Sequence, residues 1–293
     1  MIHIPVLLKE VIRYLNPQAN QNFIDCTIGG GGHAFEILKM IGPKGKLLGI
    51  DLWEEAIRDL RLKIKDLRLE ERLILVCDNF ANLKEIVKRE SFFPVDGILF
   101  DLGLSSDLLE KSGRGFSFQK VEILDMRFNP KKQILTAKEI LNQASEKELT
   151  DIFKNYSEEK FSRLIAKKIV QFRKKNKIQT TLQLVNLIKI ALRENFHKKS
   201  LARIFQALRI AVNDELRNLE TVLPQAVDIL KPKGRLVIIS YHSLEDRIVK
   251  NFFKSHPQLK IITKKPILPT KEEIINNPRA RSAKLRVAEK ILI

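Results

Sequence analysis

The stretch "NFIDCTIGGGGHAFEIL", residues 22–38, decides how this chain folds. An apolar run carries Asp25, four glycines follow at 29–32, and Ala34, Ile37 and Leu38 then recur at helical spacing. A strand that ends in glycines and enters a helix is a ligand site: glycine lets the backbone turn and approach, and the helix start offers free N–H groups. Gly29, Gly31 and Ala34 fit the spacing G-x-G-x-x-A. Asp51, at the end of the next apolar run, stands where an acid accepts hydrogen bonds from ribose hydroxyls. Sites for NAD, FAD and S-adenosylmethionine (SAM) share this arrangement. Two residues separate them. Asp25 would repel an arriving pyrophosphate, whereas SAM carries an ammonium and a sulfonium and no phosphate. His33 puts bulk in the first helical turn, where a pyrophosphate demands close approach. The loop therefore favours SAM.

Outward from this stretch, short apolar runs alternate with helical patterns. "FIDCT" (23–27), "KLLGID" (46–51), "LILVC" (73–77) and "DGILFD" (96–101) are separated by segments such as "EEAIRDLRLKI" and "NLKEIVKRE". That rhythm predicts a parallel sheet covered on both faces. From about 134 to 221 it stops, and only helices are expected. Ser145 with Glu148 makes a capping-box pattern, and Thr181 precedes "LQLVNLIKIAL". Strands resume at "GRLVIIS" (234–240) and close with "KIIT" (260–263) and "KLRVAEKIL" (284–292). The expected architecture is one α/β domain, residues 1–106 and 210–293, interrupted by an all-helical insertion at 107–209.

Composition narrows the function classes. The chain has 293 residues, 44% hydrophobic, and no apolar run near the ~18–20 residues of a membrane span. The start, "MIHIPVLLKEVIRYL", has an internal glutamate and no small-residue cleavage site, so no signal peptide is expected. Cys26 and Cys77 sit in apolar runs as reduced core thiols, which suits a cytoplasmic protein. Five scattered histidines without CxxC or HxxxH spacing predict no metal site. Charge is lopsided: residues 1–159 hold 23 Lys+Arg against 25 Asp+Glu, and residues 160–293 hold 30 against 10. Lysine-rich composition alone would not confine the excess to one half, so a polyanion, nucleic acid ahead of membrane, is the expected partner.

"DGILFDLGLSS" ends a strand at Asp101 and runs into a loop with glycine and two serines, at the carboxyl edge where such sheets bind ligands. Asp101 and Ser105 are the catalytic candidates. A polar acceptor here suits transfer to an amine whose lone pair is delocalised into a ring, since accepting its N–H lets the nitrogen pyramidalise. The alternative is that Asp101 merely caps the loop.

The segments "HIPVLLKEVI", "DCTIGGGGH", "DGILFDLGLSS", "GRGFSF", "LDMRF", "FQALRIAVNDEL", "GRLVIISYHSLEDRIVK" and "NPRARSAKLR" resemble the bacterial small-subunit rRNA methyltransferase H family. They run from His3 to Arg286. The resemblance implies a Rossmann-like class I SAM-dependent methyltransferase sheet with an inserted helical domain. It implies methyl transfer from SAM to N4 of a cytosine of 16S rRNA in the decoding region. By the same resemblance the cofactor contacts fall on Gly31, Gly32, His33, Asp51, Phe80 and Asp101. There are departures. The family's Pro-Gln after the two serines is Asp107-Leu108 here, its "DRDP" is "DLWE", and its "DMRM" is "DMRF". Trp53 either stacks on adenine or simply packs.

Beside this resemblance, the insertion is expected to bind rRNA. Arg279, Arg281, Lys284 and Arg286 are expected to contact phosphates, since at least two face one side. His242 and Ser243 either face the substrate base, or Ser243 caps a helix with Asp246. Two rival functions remain: a nicotinamide-dependent oxidoreductase, and a non-enzymatic RNA-binding protein that kept the fold.

Overall fold

The computed structural model describes residues 4–292. His3, where the first family-like segment begins, lies outside them. The seven strands are β1 (Phe23–Asp25), β2 (Leu47–Asp51), β3 (Leu73–Cys77), β4 (Val95–Asp101), β5 (Leu230–Ser240), β6 (Leu259–Ile261) and β7 (Lys284–Lys290). They form one sheet in the order β3-β2-β1-β4-β5-β7-β6. Every neighbouring pair from β3 to β5 is parallel, and β7 runs antiparallel to both β5 and β6.

Side-chain alternation shows why these runs had to be strands. Phe23, Leu47, Leu99, Val237 and Ile239 enter one core cluster. Their neighbours Ile24, Leu48, Ile98, Phe100, Leu236 and Ile238 enter the other. Successive residues of a strand point to opposite faces, so a strand buried on both sides must be apolar at every position. Helices Leu8–Leu15, Gly32–Met40 and Glu54–Asp66 supply Leu15, Ile37 and Ile57 to the first cluster. Leu83–Arg89, Glu215–Ile229 and Ser243–Ser255 supply Ile86, Leu223 and Phe253 to the second. Each such side chain stabilises the fold by roughly 1.5–3 kcal/mol relative to exposure. The predicted strands are present, β3 with its expected ends and the others with shifted ones. β5 starts at Leu230, four residues before Gly234, through an irregularity in its pairing with β4 where Lys233 takes φ 66°.

The chain divides into two compact units: one up to Gly103 and from Leu216 onward, the other Leu104–Glu215. Among the described residues the second unit has no named strand. Its longer helices are Glu146–Ser157, Ser162–Arg173, Thr181–Leu192 and Lys198–Asn213. Each inserts a fully buried i,i+4 pair into the unit's core: Leu149 and Phe153, Ile165 and Ile169, Leu184 and Ile188, Ile204 and Leu208. The Ser145–Glu148 capping box is present. The other start moves by one residue, because Thr180 caps its helix in a box with Gln183. Thr181 is instead buried, its hydroxyl donating to the Lys120 carbonyl and accepting from Glu122 N. Among the described residues no helix is long and apolar enough to cross a membrane.

Candidate active site at the carboxyl edge

From β1 the chain steps outward to β2 and β3, then returns to the other side of β1 to build β4 and β5. The reversal leaves a crevice beyond the carboxyl ends of β1 and β4, where open α/β sheets take ligands. Three strands end there in aspartates: Asp25 on β1, Asp51 on β2 and Asp101 on β4. Hydrophobic register alone would fill these positions with apolar residues. The acids are there for another reason.

The glycine loop is tied to Asp51. Gly29 N donates to Asp51 Oδ2 at 2.8 Å, and Trp53 N donates to Oδ1 at 2.9 Å. Burial pushes the Asp51 carboxyl above its usual range, and these backbone donors pull it part of the way back. Gly31 precedes helix Gly32–Met40 with φ 80°, a left-handed conformation that only glycine adopts at no cost. No side chain caps that helix start, so its N–H groups face the loop. Trp53 lies just before helix Glu54–Asp66, and its indole Nε1 is buried with no hydrogen-bond partner among the described residues. Packing alone leaves that donor unexplained. Phe80 opens a 3-10 turn beyond β3, half-buried, with its ring edge-to-face against Phe100 at 5.7 Å.

Asp25 is 2% exposed. Its Oδ1 accepts from Thr27 N at 3.1 Å and lies 3.5 Å from the Thr27 hydroxyl. Burial, opposed by the Thr27 amide and reinforced by the charges of Asp101 and Asp51, lifts its pKa to about 7. Thr27 Oγ1 also accepts from Asp101 N at 2.7 Å, so one hydroxyl links the ends of β1 and β4. Asp101 Oδ1 accepts from the Tyr241 hydroxyl at 2.7 Å, and Oδ2 lies 3.8 Å from His33 Nδ1. His33 is buried and its Nε2 is 2.9 Å from the Val6 carbonyl. A carbonyl only accepts, so Nε2 carries the proton, and in the neutral ring Nδ1 presents a lone pair.

Within one unit the structure thus brings together Gly31, Gly32, His33, Asp51, Phe80 and Asp101. Ser105 belongs to the other unit, where its Oγ accepts from Leu108 N and starts helix Ser106–Lys111. Leu108 is buried. The helix after β5 is capped one residue earlier than Ser243. His242 is the cap and Glu245 its partner, accepting from Tyr241 N at 2.8 Å and His242 N at 3.3 Å. That frees Asp246 for Arg286, whose Nε and Nη2 donate to it at 2.6 and 3.2 Å. Burial alone would raise Asp246; the hydrogen bonds and charge of Arg286, with Lys284 at 3.6 Å, outweigh it and hold the carboxyl low. Arg286 is buried on β7 and committed to this pair, which corrects its expected role at a phosphate. Arg281 is exposed, and Arg279 and Lys284 are half-buried.

Sequence reading missed Thr27 and Tyr241, which hold the Asp101 strand end. Thr27 sits two residues after Asp25, a spacing typical of a carboxylate bonding the backbone two residues on. Tyr241 gives no such signal, because its partner lies 140 residues away.

The model of the MraW methylase family matches residues 1–291. A ribosomal RNA small subunit methyltransferase H of Halothermothrix orenii is 46% identical, over 99% of this chain and 99% of that protein. One from Clostridium botulinum strain Loch Maree is also 46% identical, again over 99% of each. Among solved structures, a putative rRNA-methylase from Clostridium thermocellum covers 99% of this chain and 100% of its own, with 14% identity and a TM-score of 0.48.

Proposed function

The chain belongs to the MraW methylase family, and from that premise we propose that it uses SAM to methylate the N4 amine of a cytosine in the decoding region of 16S rRNA. The observation that carries this reading is the set of strand-end carboxylates around an uncapped, glycine-entered helix start. Asp51 would suit the ribose of a dinucleotide as well, but its pyrophosphate would meet Asp25 and Asp101, which disfavours an oxidoreductase. An RNA-binding protein without chemistry has no use for this arrangement.

The residues fit the cofactor. The backbone N–H groups of Gly29, Trp53 and Leu52 take up part of the Asp51 carboxylate's acceptor capacity and leave a lone pair for a ribose hydroxyl. Phe80 offers a partly open ring face for adenine, and the unpartnered Trp53 N–H is a donor for one of its ring nitrogens. Asp101, joined by Asp25 once pH passes its pKa of about 7, supplies negative potential for the ammonium and sulfonium. When bound, SAM supplies an electrophilic methyl group. Asp101 Oδ2, whose twin oxygen is held by Tyr241, accepts from the cytosine amine or fixes the methionine end. Held in line by Asp101, the amine lone pair would take that methyl group, C–N formation being matched by C–S cleavage and by loss of one N–H proton to solvent. These residues contribute position more than acid–base strength.

Basic surface supports the substrate class. Residues 160–193 contain no Asp or Glu. Arg163, Lys167 and Lys174 are exposed and spaced along one face of Ser162–Arg173 and its end. We assign this face, with the exposed Arg281, to rRNA phosphates, which give affinity without reading sequence. Splaying the cytosine out of the fold costs a few kcal/mol, which such contacts offset.

Asp101→Asn tests the reading with shape kept and charge removed. Methyl transfer to unmodified small subunits should slow about 100-fold, the scale of a misplaced reacting group, while RNA affinity holds within about threefold. Asp51→Ala should raise the Kd for SAM roughly 10–150-fold by calorimetry, the worth of hydrogen bonds to a charged group. Wild-type turnover in the first variant and unchanged affinity in the second would both contradict it.

A further inference from the structure

Among the described residues, Asp101 is the only strand-end acid with a side-chain hydroxyl donating to it from outside its own loop. Tyr241 Oη–H donates to Oδ1 at 2.7 Å, and no hydrogen bond reaches Oδ2 among the described residues. The tyrosine is itself held at both ends. Its backbone N–H donates to Glu245 Oε2 at 2.8 Å, inside the cap of the helix that follows β5. Its ring lies on Gly103: a Cβ there would sit 2.6 Å from Tyr241 Cε2 and 2.9 Å from Cζ. Only glycine at 103 lets the ring come that close, so the chain just beyond Asp101 is shaped around this phenol. The Asp101 backbone is fixed as well, its N–H donating to Thr27 Oγ1. Burial, then the neighbouring charges of Asp101 and Glu245, keep the phenol protonated well above its usual range, so it remains a donor.

We propose that Tyr241 is a positioning residue: it locks one carboxylate oxygen of Asp101 so that Oδ2 alone is presented to the reacting groups. The inference rests on the methyl-transfer reading above. A carboxylate free to rotate about its χ2 would offer its oxygens over a broad range of directions, since terminal sp³–sp² torsions are soft. Locking it removes that freedom before the substrate arrives, and the benefit is expected in turnover rather than in RNA binding.

Tyr241→Phe deletes the hydroxyl and keeps the ring. The assay is methyl transfer to unmodified small subunits by the full chain, with SAM affinity and thermal melting measured alongside. Expected are a kcat about 10- to 100-fold lower, a KM for RNA within about threefold of wild type, and little change in melting. The decisive comparison is the cycle with Asp101→Asn: if Tyr241 acts through Asp101, Tyr241→Phe costs nothing further in that background. Wild-type kcat in Tyr241→Phe, or losses that multiply in the double variant, would overturn the proposal. If Tyr241→Phe folds poorly, Gly103→Ala gives a second reading, because its Cβ displaces the ring with the hydroxyl intact. The same loss, again absent beside Asp101→Asn, is expected, and wild-type kcat overturns the proposal. A wild-type protein that transfers no methyl to the subunit fails the functional reading instead, so the two failures are told apart.

Discussion

At the scale of single residues, Asp25 shows how a buried strand-end acid works against the stability of the fold that carries it. Burial, with Asp101 and Asp51 nearby, moves its pKa from the usual 3.8 to about 7. Between those values the unfolded carboxyl ionises while the native one stays protonated. The stability this group contributes is therefore complete below about pH 4 and is lost as pH rises through 7. Asp25→Asn should melt close to wild type at pH 4 and progressively above it between pH 4 and 7, with the gap constant beyond pH 8. Thermal melts of the ligand-free protein across that range check this, and a gap independent of pH would contradict it. The position of Asp25 was legible, because a lone acid in "FIDCT" stands out against an apolar strand. The partners of these acids were not. Thr27 bridging Asp25 to Asp101, and Tyr241 holding Asp101, depend on which strands lie side by side. Arg286 misled for the same reason: its spacing in "NPRARSAKLR" suggested a phosphate contact, whereas the sheet delivers it to Asp246.

Elements were easier to recognise than to delimit. Strands buried on both faces are mostly apolar, so β1 to β5 declared themselves by composition, and the helices between the first four announced parallel pairing, whereas the strand order was not legible. Ends depend on capping atoms that sequence leaves degenerate. Thr180 and Thr181 are adjacent candidates, and only Thr180 has Gln183 three residues on to complete the box. At the start after β5 a histidine does the work expected of Ser243, since Glu245 rather than Asp246 reaches back. Among the helices of the second unit, Ser162–Arg173 carries the most pointed functional expectation. Its C-terminal Arg173 and Lys174 complement the helix dipole, but Arg163 and Lys167, nearer its start, do not. Neutralising Arg163, Lys167 and Lys174 together should weaken binding to a 16S rRNA fragment and lower the slope of log K against log salt by up to about 2, at ~0.7 per phosphate contact. SAM affinity should be unchanged. An unaltered slope would take this face away from the RNA.

Across the whole molecule, charge and chemistry are divided along the sequence. The residues up to 159 are close to neutral, and the basic excess lies beyond. The acids proposed for the cofactor end are gathered on β1, β2 and β4. The discontinuous pattern of strands, then helices, then strands made this organisation readable, because a sheet interrupted by a long helical run has few other solutions. Substrate identity is a different matter: nothing in strand order or glycine spacing distinguishes one methyl acceptor from another. The central claim is that the carboxyl edge directs a methyl group onto an exocyclic amine. Its most direct test is the product itself, with labelled methyl transferred from SAM to unmodified small subunits and the digested nucleosides identified by mass spectrometry. The account predicts label on N4 of cytidine at a single site of the decoding region; label on a ring carbon, on ribose or on any other base would contradict it.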